Sequence, residues 1–167
     1  VELAADNYII RCAEGTYDEG TTNVGGVPTR LYLNKQVVVR GAGAGKSIIK
    51  GNCDLADPSE HGCGSDAVRC VYLFGKGRLS GFTVRNGYAR YHNDASSVDC
   101  FAGGIAALTG AQISDCVVSN CFARRGGIAQ GGQYHRCRFH AKTSPTIMDS
   151  LQSYTFSGFF NCLFSLS

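Results

Sequence analysis

Apolar residues recur along this chain in one short pattern, repeated four times. Leu79-Ser80-Gly81-Phe82-Thr83-Val84-Arg85-Asn86 aligns with Ile113-Ser114-Asp115-Cys116-Val117-Val118-Ser119-Asn120. Tyr134-His135-Arg136-Cys137-Arg138-Phe139 and Phe159-Phe160-Asn161-Cys162-Leu163-Phe164 follow the same pattern. The first, fourth and sixth places are apolar, which gives the columns Leu79/Ile113/Tyr134/Phe159, Phe82/Cys116/Cys137/Cys162 and Val84/Val118/Phe139/Phe164. Alternation at the end of each copy is that of a strand with one buried face. Successive copies are 34, 21 and 25 residues apart (82 to 116, 116 to 137, 137 to 162). Such steps are the coils of a stacked solenoid, in which an insertion bulges outward without disturbing the stack.

A second repeat agrees with the first. Ala102-Gly103-Gly104-Ile105 and Arg125-Gly126-Gly127-Ile128 each precede a copy of the strand pattern, and glycine pairs at one place in successive coils suit a corner with positive φ or crowded backbones. Upstream, Tyr8-Ile9-Ile10-Arg11, Leu31-Tyr32-Leu33, Val37-Val38-Val39-Arg40 and Ser47-Ile48-Ile49-Lys50 read as further short strands. No segment holds a helical period over ten residues. The expected architecture is an all-β, right-handed, single-stranded parallel β-helix of about six coils with almost no helix. It forms one domain over 1–167, with loops near 52–69 and 88–99.

Composition narrows the classes. With 44% hydrophobic and 17% charged residues the chain is too apolar for disorder, and its net charge of +3 comes from scattered Lys and Arg, so no nucleic-acid footprint is expected. No apolar stretch reaches the roughly 20 residues of a membrane span, and Val1 to Asn7 lack the regions of a signal peptide, so the chain reads as mature or excised. Nine cysteines, several in polar sequence, point to an oxidising compartment and a secreted or cell-surface setting. Cys53, Cys63, Cys70 and Cys100 are the disulfide candidates. The Cys116, Cys137 and Cys162 column, at about 4.8 Å per strand, reads as stacked core thiols, although a bridge there is within geometric reach.

Glu14-Gly15-Thr16-Tyr17, Val37-Val38-Val39-Arg40-Gly41-Ala42-Gly43, Ile48-Ile49-Lys50-Gly51-Asn52 and Leu79 to Gly87 resemble the opening coils of pectate-lyase-like right-handed β-helix proteins. The Gly-Gly-Ile and Cys-x-Val-x-Asn units are similar to repeats of adhesin and polymorphic outer-membrane β-helices. The resemblance implies the fold and leaves function open, because this scaffold hosts lyases, hydrolases, adhesins and phage spikes.

Candidate chemistry is sparse. Gly41-Ala42-Gly43-Ala44-Gly45-Lys46-Ser47 imitates a phosphate-binding loop, but Arg40 stands where the first glycine is required and a strand follows instead of a helix. His61-Gly62-Cys63 and His135 to His140 lack zinc spacing. Asp54, Asp57, Glu60 and Asp66 are hard ligands that read as a solvated acidic loop or a calcium cluster. The outward strand positions, including Ser80, Thr83, Asp115, Arg136, Arg138 and Asn161, hold one acid, too few for paired-carboxylate glycosidase chemistry. No catalytic residue, cofactor or metal is assigned. Tyr88, Tyr91 and His92 on the long loop suit sugar rings and mark a glycan contact. The ends of the stack are open sheet edges, and the last coil is among the most apolar segments. Tyr8, Ile9, Ile10, Phe159, Phe160, Leu163, Phe164 and Leu166 are therefore the expected assembly interface, either head to tail with another copy or with neighbouring coils of a longer chain. The functional expectation is a non-catalytic structural or adhesive surface protein, with a self-assembling filament subunit as one form, and a carbohydrate-active β-helix as the alternative.

Overall fold

The computed structural model describes residues 6–56, 62–89, 101–108, 110–123, 127–141 and 158–166. Their regular structure is all strand, without a helix. Sheet A consists of β1 (Ile9–Arg11), β5 (Val38–Arg40), β8 (Arg78–Ser80), β11 (Gln112–Ser114), β14 (Gln133–His135) and β16 (Gly158–Phe160), in that order. Sheet B stacks β2 (Gly15–Tyr17), β6 (Ser47–Lys50), β9 (Thr83–Arg85), β12 (Val117–Ser119), β15 (Arg138–Ala141) and β17 (Leu163–Leu166). Sheet C contains β3 (Thr22–Val24), β4 (Val27–Leu33), β7 (Arg69–Leu73), β10 (Ile105–Ala107) and β13 (Ala129–Gln130). The chain visits A, then B, then C, and every pairing is parallel except the β3–β4 hairpin. This is a parallel β-helix.

Register carries the repeat through the stack. Ile10, Val39, Leu79, Ile113, Tyr134 and Phe159 pair in succession along sheet A. Ile49, Val84, Val118, Phe139 and Phe164 do the same along sheet B. Phe82, Cys116 and Cys137 are buried between the two walls, and Cys162 packs against the same core. Aromatic rings continue the columns, with Tyr134 on Phe159 at 5.0 Å and Phe139 on Phe164 at 4.9 Å, the ring planes of each pair nearly parallel.

The chain turns a corner between each pair of walls, and two of the three are set by left-handed residues in successive coils. Between sheets A and B a single left-handed residue turns the chain, and it is Gly81, Asp115, Arg136 and Asn161 in four coils, with φ of 72°, 54°, 53° and 51°. Glycine, Asp and Asn tolerate that region. Arg136 is less suited to it, and the forked ion pair to Asp115 on the coil below, 2.7 Å at both contacts, holds the two corner side chains in one geometry. Between B and C, Asn86 and Asn120 take the same conformation. Here crowding governs the glycines. A Cβ on Gly103 would collide with the carbonyl oxygens of Gly87 and Phe122, and one on Gly104 with that of Ile128.

Sheet C is buried on both faces at β7 and β10. Its inner residues Leu33, Val71, Leu73 and Ile105 join the main core. Outside, Tyr72, Ala102 and Ala106 form a second cluster with Val24 and Tyr32. Arg69, fully buried, donates to the carbonyls of Ala102 (3.1 Å) and Phe101 (2.9 Å) and lies 5.4 Å from the Tyr72 ring centre.

Truncating a column residue removes contacts above and below it at once. Ile113→Ala is expected to cost about 2–5 kcal/mol, read as a fall in denaturation midpoint, whereas Ser114→Ala, facing outward next to it, stays within about 0.5 kcal/mol. Equal effects at both positions would contradict the assignment of walls.

Candidate functional site

Outward residues of each strand line up as strictly as inward ones, so the lateral faces are the surfaces on which chemistry can be assembled. On sheet A one outward column reads Arg11, Arg40, Ser80, Ser114, His135, Phe160. Beside it runs Ile9, Val38, Arg78, Gln112, Gln133, Gly158. Arg11 and Arg40 are direct neighbours and Arg78 lies diagonal to Arg40, opposite Val38. All three are exposed, and among the described residues no carboxylate pairs with them. Sheet A holds no acidic residue. At the other end of the face His135 stacks on Phe160, with ring centres 4.7 Å apart and planes 10° from parallel.

Sheet B presents Lys50, Arg85, Ser119, His140 and Ser165 in one column. Lys50 is paired with Asp18 at 3.5 Å. His140 Nδ1 lies 2.6 Å from Ser165 Oγ. That contact has the length of a nucleophile–base pair, but no carboxylate is hydrogen-bonded to His140 among the described residues, so the orienting third group of such a site is missing.

The other sequence candidates fall as follows. Ser47 of the phosphate-loop imitation is buried, donates to the Ala13 carbonyl (2.7 Å), accepts from the Ala42 amide (2.8 Å) and opens β6. Asp54 accepts the amides of Ala56 and Asp66, each at 2.9 Å, so its carboxylate organises its own loop. Asp66 is exposed, and Asp57, Glu60 and His61 lie outside the described residues. No group of three metal-ligating side chains occurs among the described residues. His135 faces outward while Cys137, past the left-handed Arg136, faces the core.

Tyr88 is half-buried and packs on Phe122 at 6.1 Å. Burial, and then its Cys53 neighbour, push its hydroxyl up to about 12. Tyr91 and His92 lie outside the described residues. At the expected assembly ends, Tyr8, Ile9, Phe160, Leu163 and Leu166 are exposed, and Ile10, Phe159 and Phe164 are half-covered against the core.

The disulfide expectation is corrected for Cys53 and Cys70, which carry free thiols. Cys70 belongs to the buried strand β7 and not to a loop, and its sulfur is directed at the Arg85 carbonyl (3.2 Å) with Cys121 as its thiol neighbour. Burial pushes the Cys70 thiol well up. Cys63 is buried in a bridge to Asp54, and Cys53 is engaged with Tyr88. Cys100 lies outside the described residues. Cys116, Cys137 and Cys162 are free and stacked, as the column predicts.

Sequence reasoning singled out Arg136 and Arg138 and missed the Arg11–Arg40–Arg78 group. The signal was present: Ile10 and Val39 align with Leu79, which puts Arg11 and Arg40 on the outward column that Ser80 occupies.

No protein-family model matches the chain, and no curated protein matches it. Solved structures do. A pectin methylesterase in complex with a hexasaccharide is 12% identical with a TM-score of 0.46, over 97% of this chain and 46% of its own. Pectin methylesterase PemA from Erwinia chrysanthemi is 11% identical with a TM-score of 0.47, again over 97% and 46%. A mutant pectin methylesterase bound to a hexasaccharide gives 12% and 0.49, over 96% and 47%. The chain spans about half the length of these structures, and at such identity no residue correspondence follows from them.

Proposed function

We propose that this chain is a carbohydrate-contacting β-helix module that holds an anionic polysaccharide along the outer face of sheet A, without a catalytic centre of its own. The observation that carries this is the stack of Arg11, Arg40 and Arg78, three exposed guanidinium groups on three successive coils of an acid-free sheet. Like charges on directly opposed strand positions repel, and a ligand with regularly spaced oxyanions relieves that repulsion. Guanidinium forks match carboxylate and sulfate oxygens two at a time. Further up the same face, Ser80, Ser114, Gln112 and Gln133 supply hydroxyl and amide partners for sugar hydroxyls, and the stacked His135 and Phe160 rings offer an aromatic platform.

Titration calorimetry of the full chain against a linear polyuronate and a neutral glucan tests this. Binding to the charged polymer alone, weakened by added salt and roughly ten-fold or more by the combined R11E, R40E and R78E substitutions, is expected. Binding that ignores both salt and charge reversal, or none at all, overturns the reading.

A second reading has its own observation. Near the first coil, Cys12, Tyr17, Leu31, Val39, Ile49 and Phe82 line a hollow rimmed by Glu19 and Arg30, while the last coil offers Phe159 and Phe164 half-covered in strands β16 and β17, which carry no charge. Strands run in the same A-to-B order at both ends, so a second copy stacked head to tail continues the inward columns, Phe159 following on Ile10. Leaving such side chains bare forfeits roughly 1.5–3 kcal/mol each. Sedimentation velocity over a range of concentrations is expected to show growing mass, abolished by L163K with L166K. A monomer at every concentration contradicts stacking between copies and leaves further coils of the same polypeptide as the covering element.

A further inference from the structure

The Cys116–Cys137–Cys162 file ends in a thiol pair that differs from the rest of the core, and we propose that Cys137 and Cys162 form a thiol-exchange site at which a small disulfide such as oxidised glutathione closes a staple between the last two coils. Registers on both sides of the pair are fixed, His135 opposite Phe160 and Arg138 opposite Leu163, with the Leu163 amide donating to the Cys137 carbonyl at 2.9 Å. Arg136 and Asn161, which precede the two cysteines, have nearly the same φ of 53° and 51°. Each sulfur is directed at the carbonyl two residues back, His135 and Phe160, at 3.5 Å, so the side chains share one orientation. Cys137 has a thiol neighbour on each side, Cys116 and Cys162.

Adjacent strands put equivalent Cα atoms about 4.8 Å apart, inside the range of about 4.4–6.8 Å for disulfides. Parallel Cβ atoms at that spacing are slightly wider apart than the usual 3.5–4.5 Å, so closure draws one coil toward the other. The end coil can give. Cys116 and Cys137 are each 1% exposed, and Cys116 is clamped between packed coils on both sides, whereas Cys162 in the end coil is partly exposed and is the thiol a reagent meets first.

The exchange balances. The Cys162 thiolate attacks one sulfur of glutathione disulfide, forming a mixed disulfide and releasing one glutathione thiolate. Cys137 then attacks the Cys162 sulfur and releases the second. The two cysteine protons end on two glutathione thiols, and glutathione disulfide is the oxidant.

Intact-mass and peptide-mapping mass spectrometry of the folded chain, incubated with oxidised glutathione in mildly alkaline buffer, reads the outcome. Loss of two hydrogens with a Cys137–Cys162 linked peptide, reversed by dithiothreitol, is expected. C137S should stop at a stable glutathione adduct on Cys162, and C116S should still close. A linkage at Cys116, or a wild-type chain that keeps the glutathione adduct unresolved or acquires none, overturns the proposal. Thermal denaturation of each reduced variant checks that it is folded before exchange.

Discussion

Among the described residues, the inward side chains of sheets A and B are covered by their counterparts on neighbouring coils and by the side chains of the facing walls. The parallel hydrogen-bond ladder fixes which residues are counterparts, because a slip of one residue would turn a whole strand inside out. Ile113 is buried because Leu79 lies below it and Tyr134 above it. The same constraint acts on the outside, where it is indifferent to chemistry. Arginine is placed over arginine, and His135 over Phe160, with the strictness that stacks phenylalanines in the core.

From this follows the distribution of function. A solenoid wall offers flat, ruled surfaces and few clefts, so the proposed binding face is a lattice of charges and hydroxyls set by coil spacing and not an enclosed pocket. The corners carry the conformational strain. Asp115 and Arg136 occupy left-handed positions on consecutive coils, and the Arg136 guanidinium holds the Asp115 carboxyl below the usual carboxylate range. That pair belongs to the architecture and is withdrawn from the cations available to a ligand.

Much of sheets A and B was legible in the sequence because one face of each strand meets solvent, which leaves alternation behind. Val84, Val118, Phe139 and Phe164 announced their column through the polar residues between them. Sheet C left no such trace. Val68-Arg69-Cys70-Val71-Tyr72-Leu73 is covered by the core on one side and by Ala102 and Ala106 on the other, and a strand buried on both faces does not alternate. Cys70 therefore carries no mark in the sequence of lying in a buried strand. Val24-Gly25-Gly26-Val27 did carry a hairpin signal that went unread: both glycines have positive φ, 61° and 88°, as a two-residue turn between antiparallel strands requires. Of the binding face, Arg11 and Arg40 were legible only by extending the pattern into the first two coils, where longer corners blur it.

Cross-peaks between methyl groups in a nuclear Overhauser spectrum of the reduced protein test the coil register most directly. The account predicts contacts from Leu79 to Ile113 and from Val84 to Val118, with none joining Leu79 to Leu163, three coils away on the outer face. Absence of the first two, or solvent exposure of those methyls, would contradict the stacking on which both the core and the arginine face depend.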